Sequence, residues 1–250
     1  MQSAVSTLSI STPEAEGLEK LREARVLLVG LGNIGSFLAM QLAHLVRAID
    51  LVDRDIVESH NVENQFYGPE HIGQSKAAVT ARRLAEIAPD LKIVHHNSAL
   101  EDLPLGHFAD ADLILAGLDS LGGRQQLSEK VYPLNLPYID GAVGDPFDIR
   151  VQVLLPNSAC LQCSWGPAQY RELATEYPCR PGAVAEGPRT NAPACAGAAT
   201  ASLMVAQCAK LLGQNPPQES YEIIGNLMAG RVTTVRRSRN QRCGYPHPEP

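Results

Sequence analysis

Residues 25–65 constrain this chain most, because an apolar run, a glycine turn and two acids follow one another there in a fixed order. Residues 25–29, Arg-Val-Leu-Leu-Val, form a short β-branched and apolar run closed by glycine, the pattern of a buried parallel strand. Gly30-x-Gly32-x-x-Gly35 follows, and apolar residues at helical spacing predict a helix over 34–46. A glycine turn between strand and helix lets backbone N–H groups and the helix N-terminus approach a phosphate. A second strand over 48–52 delivers Asp53, about 20 residues downstream, where a carboxylate can hold a ribose hydroxyl. This order predicts an adenine nucleotide and leaves NAD and ATP both open.

The alternation continues beyond this unit. Strands are expected over 92–96, 111–116 and 137–141, and helices over 75–88 and 121–134. Such alternation predicts an α/β fold, a doubly wound and mostly parallel sheet with right-handed crossovers. A strand over 149–155 and a hairpin over 221–224 and 231–235 add a C-terminal antiparallel extension. Residues 18–250 are thus expected as one domain, and 44% apolar residues suffice for its core. The proline-rich segment 165–194 shows no period and reads as a crossover loop over a site. Residues 195–212 read as a small-residue helix.

Several function classes are disfavoured. A net charge of −6 gives no electrostatic case for nucleic acid or an anionic membrane. The basic stretch 231–242 reads as a solvated strand end. No uninterrupted apolar run reaches 18 residues, so no membrane span is expected. Residues 1–17 are rich in Ser and Thr without the order of a signal peptide, and are expected to be a flexible leader. Six cysteines without such a signal point to the cytoplasm, and to metal binding or catalysis rather than disulfides.

Cys160-Leu-Gln-Cys163 places two thiolates at the spacing of a metal knuckle, and Cys243-Gly-Tyr-Pro-His247 supplies a second pair. Together they make a Cys₃His set, closed coordination that stabilises a fold; a redox pair at Cys160 and Cys163 is the other reading. His44, His60, His71, His95, His96 and His107 show no ligand spacing apart from the adjacent pair, and no role is expected of them.

Over about 18–247 the chain resembles the ThiF/MoeB/HesA proteins, adenylyltransferases similar to ubiquitin-activating enzymes. The resemblance rests on Gly30-x-Gly32-x-x-Gly35; on Asp53-x-Asp55-x-Val57 followed by Asn61 and Gln65; on Gly73-x-x-Lys76; on Asp119-Ser120 with Arg124; and on the cysteine pairs. It implies a Rossmann-like fold, a structural zinc knuckle at 160–163 and 243–247, and the cofactors ATP, Mg²⁺ and Zn²⁺. It also implies attack of a C-terminal carboxylate on the α-phosphate of ATP, giving an acyl adenylate and pyrophosphate. The implied partner is a ubiquitin-like or sulfur-carrier protein or a precursor peptide, acted on by a homodimer.

Within that resemblance Gly30, Gly32, Gly35, Asp53, Asp55, Asn61, Asn64 and Gln65 form the nucleotide pocket, with Lys76 on the phosphates and Asp119 on Mg²⁺. Charge developing at the α-phosphate needs a cation and a metal-binding carboxylate, which these residue types supply. Structural readings stand beside the roles: Asp119 as a helix N-cap, Lys76 as a solvated helix lysine, Arg124 paired with an acid rather than a phosphate. Cys179, beside Arg180, and Cys195, at a helix start, are the candidate acceptor thiols, since both settings lower a thiol pKa. Cys208 reads as packing. The sequence departs from the family at three places. Asn64 stands where the family has an arginine, residues 1–22 lack the family's Arg-Tyr-x-Arg-Gln helix, and His247 replaces a second cysteine. Arg54, Arg124 or an arginine of 171–189 would have to replace the missing charge; otherwise the chain is a catalytically weakened binding module.

Overall fold

The computed structural model describes residues 13–144, 147–176, 192–245 and 247. Strands β1 (Arg25–Val29), β2 (Ala48–Val52), β3 (Lys92–His96), β4 (Leu113–Ala116) and β5 (Tyr138–Gly144) pair in parallel. β1, β2 and β4 have almost no exposed residue, as apolar runs covered on both faces must. β6 (Asp148–Leu154), β7 (Tyr221–Asn226) and β8 (Arg231–Arg236) continue the sheet antiparallel, in the order β3-β2-β1-β4-β5-β6-β7-β8.

The connections are α1 (Pro13–Glu23), α2 (Asn33–Leu42), a short α3 (Asn61–Asn64), α4 (Lys76–Ile87), α5 (Leu105–Ala109), α6 (Leu121–Val131), α7 (Pro167–Glu176) and α8 (Ala194–Leu212). On one face Leu21 of α1, Leu38 and Leu42 of α2, Leu84 of α4 and Met204 of α8 pack on Val26, Leu28, Ile49 and Leu51. On the other, Phe108 of α5 and Leu127 and Val131 of α6 pack on Leu27, Val29 and Ile114. The result is a doubly wound α/β Rossmann-like sheet with an antiparallel extension, as the sequence predicts.

Several expectations are refined or corrected. The helix expected over 34–46 ends at Leu42, and Ser75 caps α4 from outside, its Oγ accepting from Ala78 N–H. α1 begins at Pro13, inside the expected leader 1–17, and its Gly17 lies so close to the Ala209 carbonyl that a Cβ would stand 2.2 Å from the oxygen. Residues 1–12 fall outside the described residues. The segment 165–194 is not all loop, since α7 occupies its first part. α8 is long and apolar enough to cross a membrane by length and composition, yet it buries Ala201, Met204 and Cys208 against the sheet as a core helix. Finally, Arg237 of the basic stretch is buried, donating to Cys160 O, Leu161 O and Ser164 Oγ and pairing with Glu222.

Candidate active site

Since β2, β1 and β4 are adjacent and parallel, their carboxyl ends deliver Asp53, the glycine turn and Asp119 to one edge of the sheet. That is where open α/β sheets bind ligands. Gly30 has φ +85°, a left-handed conformation that favours glycine. Gly35 is needed for proximity: a Cβ there would stand 1.8 Å from the Gly30 carbonyl oxygen. Gly117, just past β4, donates to Val29 O, and its own Cβ would meet Gly35 N at 2.8 Å. Gly32 caps the N-terminus of α2 with nothing within 4 Å of its Cβ position, so the helix end stays open. An open helix N-terminus beside a tight turn fits a phosphate.

Asp53 locks this turn from the second strand. Its Oδ2 accepts from Leu31 N–H at 2.6 Å and its Oδ1 from Asp55 N–H at 2.8 Å. Burial pushes its carboxyl up, and the nearby Lys76 charge opposes that shift. Lys76, the first residue of α4, is buried, and its Nζ lies 3.3 Å from Asp55 Oδ2, so it is not a solvated lysine. Asn61 is buried and its Oδ1 accepts from Glu58 N–H, fixing the loop rather than facing it. The side-chain oxygens of Asn64 and Gln65 are buried without a partner, as is Asn33 Oδ1 at the start of α2. Buried carbonyl oxygens without donors are uncommon in folded chains, and three of them on the glycine turn and its motif loop suit a ligand-bearing region.

Asp119 is exposed beyond β4. The capping role belongs to its neighbour Ser120, whose Oγ accepts from Gly123 N–H at 3.0 Å. Arg124 takes the pairing role: its guanidinium binds Asp140 and the Leu118 carbonyl, and Tyr138 also donates to Asp140. Arg124 therefore ties Asp140 to the segment just before Asp119. Sequence reasoning missed Asn33, Tyr138 and Asp140, and also Tyr67, which donates to Leu31 O at 2.9 Å. An acid closing a buried Tyr-Ile-Asp run was the available signal for Asp140. Of the two acceptor candidates, Cys195 is exposed at the start of α8 and Cys179 lies outside the described residues; Cys208 is packing, as expected, and burial pushes its thiol up to about 12.

The four residues of the second constellation do meet. Ligand atoms of Cys160, Cys163, Cys243 and His247 lie within 4.8 Å of one another. Sγ of Cys160 is 3.8 Å from that of Cys163 and 3.5 Å from that of Cys243, and Cys163 Sγ is 3.1 Å from His247 Nε2. Zn–S bonds of about 2.3 Å give tetrahedral S···S edges of about 3.8 Å, so the set fits one zinc ion. The hydrogen bond from Cys160 draws the Cys163 thiol down to about 4 and pushes Cys160 up. Tyr132 Oη lies 3.1 Å from His247 Nδ1, orienting the ring as outer partners of zinc-binding imidazoles do.

Comparison with known proteins agrees with this geometry. The sulfur carrier protein ThiS adenylyltransferase of Escherichia coli (strain K12) is 32% identical over 163 residues, 63% of this chain and 64% of that protein. The catalytic subunit of the NEDD8-activating enzyme E1 of Saccharomyces cerevisiae is 29% identical over 154 residues, 57% of this chain and 51% of that protein. This chain thus spans about half to two thirds of the length of these two curated relatives. Among solved structures, E. coli MccB with ATP superposes with a TM-score of 0.71 at 16% identity, covering 95% of this chain and 74% of that one. That likeness establishes the fold. A ThiF family model matches residues 6–245, and with the glycine turn, Asp53, Lys76 and Asp119 gathered at one sheet edge, the chain belongs to the ThiF family.

Proposed function

We propose that this chain uses ATP to adenylylate a C-terminal carboxylate. A carboxylate oxygen bonds to the α-phosphorus, the bond from that phosphorus to the pyrophosphate oxygen breaks, and an acyl adenylate and pyrophosphate result. The observation that carries this reading is the convergence of the open glycine turn, the Lys76–Asp55 pair and the exposed Asp119 at the carboxyl edge of β1, β2 and β4. A dehydrogenase reading explains the glycines but neither the buried lysine nor the exposed carboxylate after β4. In this assignment Gly30, Gly32 and Gly35 admit the phosphates, and Asp53, with Asp55, Asn61 and Gln65, shapes the nucleotide pocket. Lys76 balances phosphate charge, and Asp119 would hold Mg²⁺, which supplies electrostatic stabilisation of phosphate charge when bound.

Relatives carry names of enzymes acting on ThiS or NEDD8, and several MccB structures contain MccA. By analogy, the substrate is a ubiquitin-like or sulfur-carrier protein, or a precursor peptide, with a free C-terminus. The protein would act as a homodimer, and zinc at Cys160, Cys163, Cys243 and His247 would be structural. Exchange of labelled pyrophosphate into ATP, dependent on the carboxylate substrate, tests the reaction. ATP binding without exchange for every candidate carboxylate refutes it.

A second reading has its own observation. Arg124 is paired with Asp140, and by the resemblance Asn64 stands at the family's arginine position, so on this reading neither brings positive charge to the phosphates. On that reading the chain binds nucleotide or partner without turnover. Gain of exchange in Asn64→Arg favours it, and substantial exchange by the native chain dismisses it.

A further inference from the structure

Away from the cysteine cluster, three more ligand-type side chains converge on the α5 face of the sheet. Asp50 sits in the middle of β2, 1% exposed within an otherwise apolar strand. His96 ends β3, and His107 lies on α5. One donor atom from each lies within 4.8 Å of the other two. His107 Nδ1 is 3.7 Å from Asp50 Oδ2, too long for a hydrogen bond. It is near the roughly 3.4 Å edge that metal bonds of about 2.1 Å give in a tetrahedron. The two imidazoles stand edge to face, with centroids 4.5 Å apart.

A second, independent feature points to a ligand. His96 Nε2 is buried and has no hydrogen-bond partner. An imidazole nitrogen shut away from water without a partner is costly, and a bound metal ion would satisfy it. We propose that Asp50, His96 and His107 form a second divalent transition-metal site, distinct from the Cys₃His cluster. Two imidazoles and one carboxylate suit Zn²⁺, Co²⁺, Ni²⁺ or Cu²⁺ rather than the all-oxygen preferences of Mg²⁺ and Ca²⁺. His107, one third exposed, gives the ion a way in.

Neighbouring charge sets the expected strength. Arg25 Nη2 binds both oxygens of Asp50, at 2.9 and 2.7 Å, and the Arg25 backbone N–H is held by Asp112. A carboxylate offers about four acceptor positions, so the arginine leaves room for a metal bond. Its positive charge nevertheless opposes a dication at short range, so the site is weaker than the thiolate cluster. The His96 carbonyl accepts from Asp53 N–H at 3.2 Å, so an ion here would brace the strand end beside the nucleotide turn.

The test is a Zn²⁺ titration of the metal-stripped full chain, followed by equilibrium dialysis and by the nitrogen resonances of the histidine rings. Two equivalents are expected, the weaker one moving the His96 and His107 signals. Under Co²⁺ that equivalent adds absorption without a thiolate-to-metal band. His107→Ala should remove the weaker equivalent and keep the thiolate one, whereas Arg25→Gln should tighten it. The ring resonances are read on the native chain, so the result stands even where a variant fails to fold. A single equivalent, His96 and His107 signals unmoved by zinc, or a second equivalent that survives His107→Ala overturns the proposal.

Discussion

Asp119 and Lys76 differ in what surrounds them, and their substitutions should differ accordingly. Asp119 is exposed and its neighbour Ser120 does the capping, so Asp119→Asn should leave folding untouched. Removing one electrostatic group aimed at developing charge costs about 10²–10³ in rate. Pyrophosphate exchange should fall by that factor while the melting temperature stays constant. Lys76 is buried against Asp55, so Lys76→Met should lower both exchange and nucleotide affinity, read by calorimetric titration. Asp53, Lys76 and the glycines were legible in the sequence because their motif fixes both spacing and residue type. Arg124 was not, because its choice between acid and phosphate depends on Asp140, a residue of the next strand. The histidines near Asp50 were illegible for the same reason: their meeting depends on how β2, β3 and α5 assemble.

Elements were read most securely where hydrophobic period and glycine punctuation agree. The central strands β1 and β4 follow from continuous apolar runs, which only a sheet covered on both faces accommodates, whereas β3 and β8 at the sheet edges are largely exposed. Helix α7 was hidden because prolines and alanines conceal any period in that segment, although Pro167 suits a first helical turn. Helix α2 links turn to core, and two substitutions separate those functions. Gly35→Ala would drive a methyl into the Gly30 carbonyl, so α2 must shift off the turn. A loss of about 3 kcal/mol or more in urea unfolding is expected, together with lost ATP binding. Leu38→Ala empties a fully buried site one turn further along the helix, in the core rather than against the Gly30 carbonyl. It should cost about 2–5 kcal/mol while nucleotide affinity per folded molecule persists.

At the scale of the whole molecule, the Cys₃His cluster joins the C-terminal segment to the end of the sheet, and Arg237 clamps the same loop through backbone carbonyls. An ion bound to the folded state alone stabilises by about 4 kcal/mol when present at 1,000 times its dissociation constant. Chelation should therefore lower the melting temperature and open residues 239–245 to protease, with zinc restoring both. Helix α8 acts over a longer reach. Its 19 residues make a rod of about 28 Å. Toward one end Gly197 lies against Asn33 of the glycine turn, and toward the other Ala209 lies against Gly17 of α1, both at distances no extra methyl would fit. Such contacts let neither end loosen alone. The amides of α1 and of the glycine turn should then exchange with solvent as one cooperative unit, and bound ATP should slow exchange in α1, at the far end of the rod from the nucleotide turn.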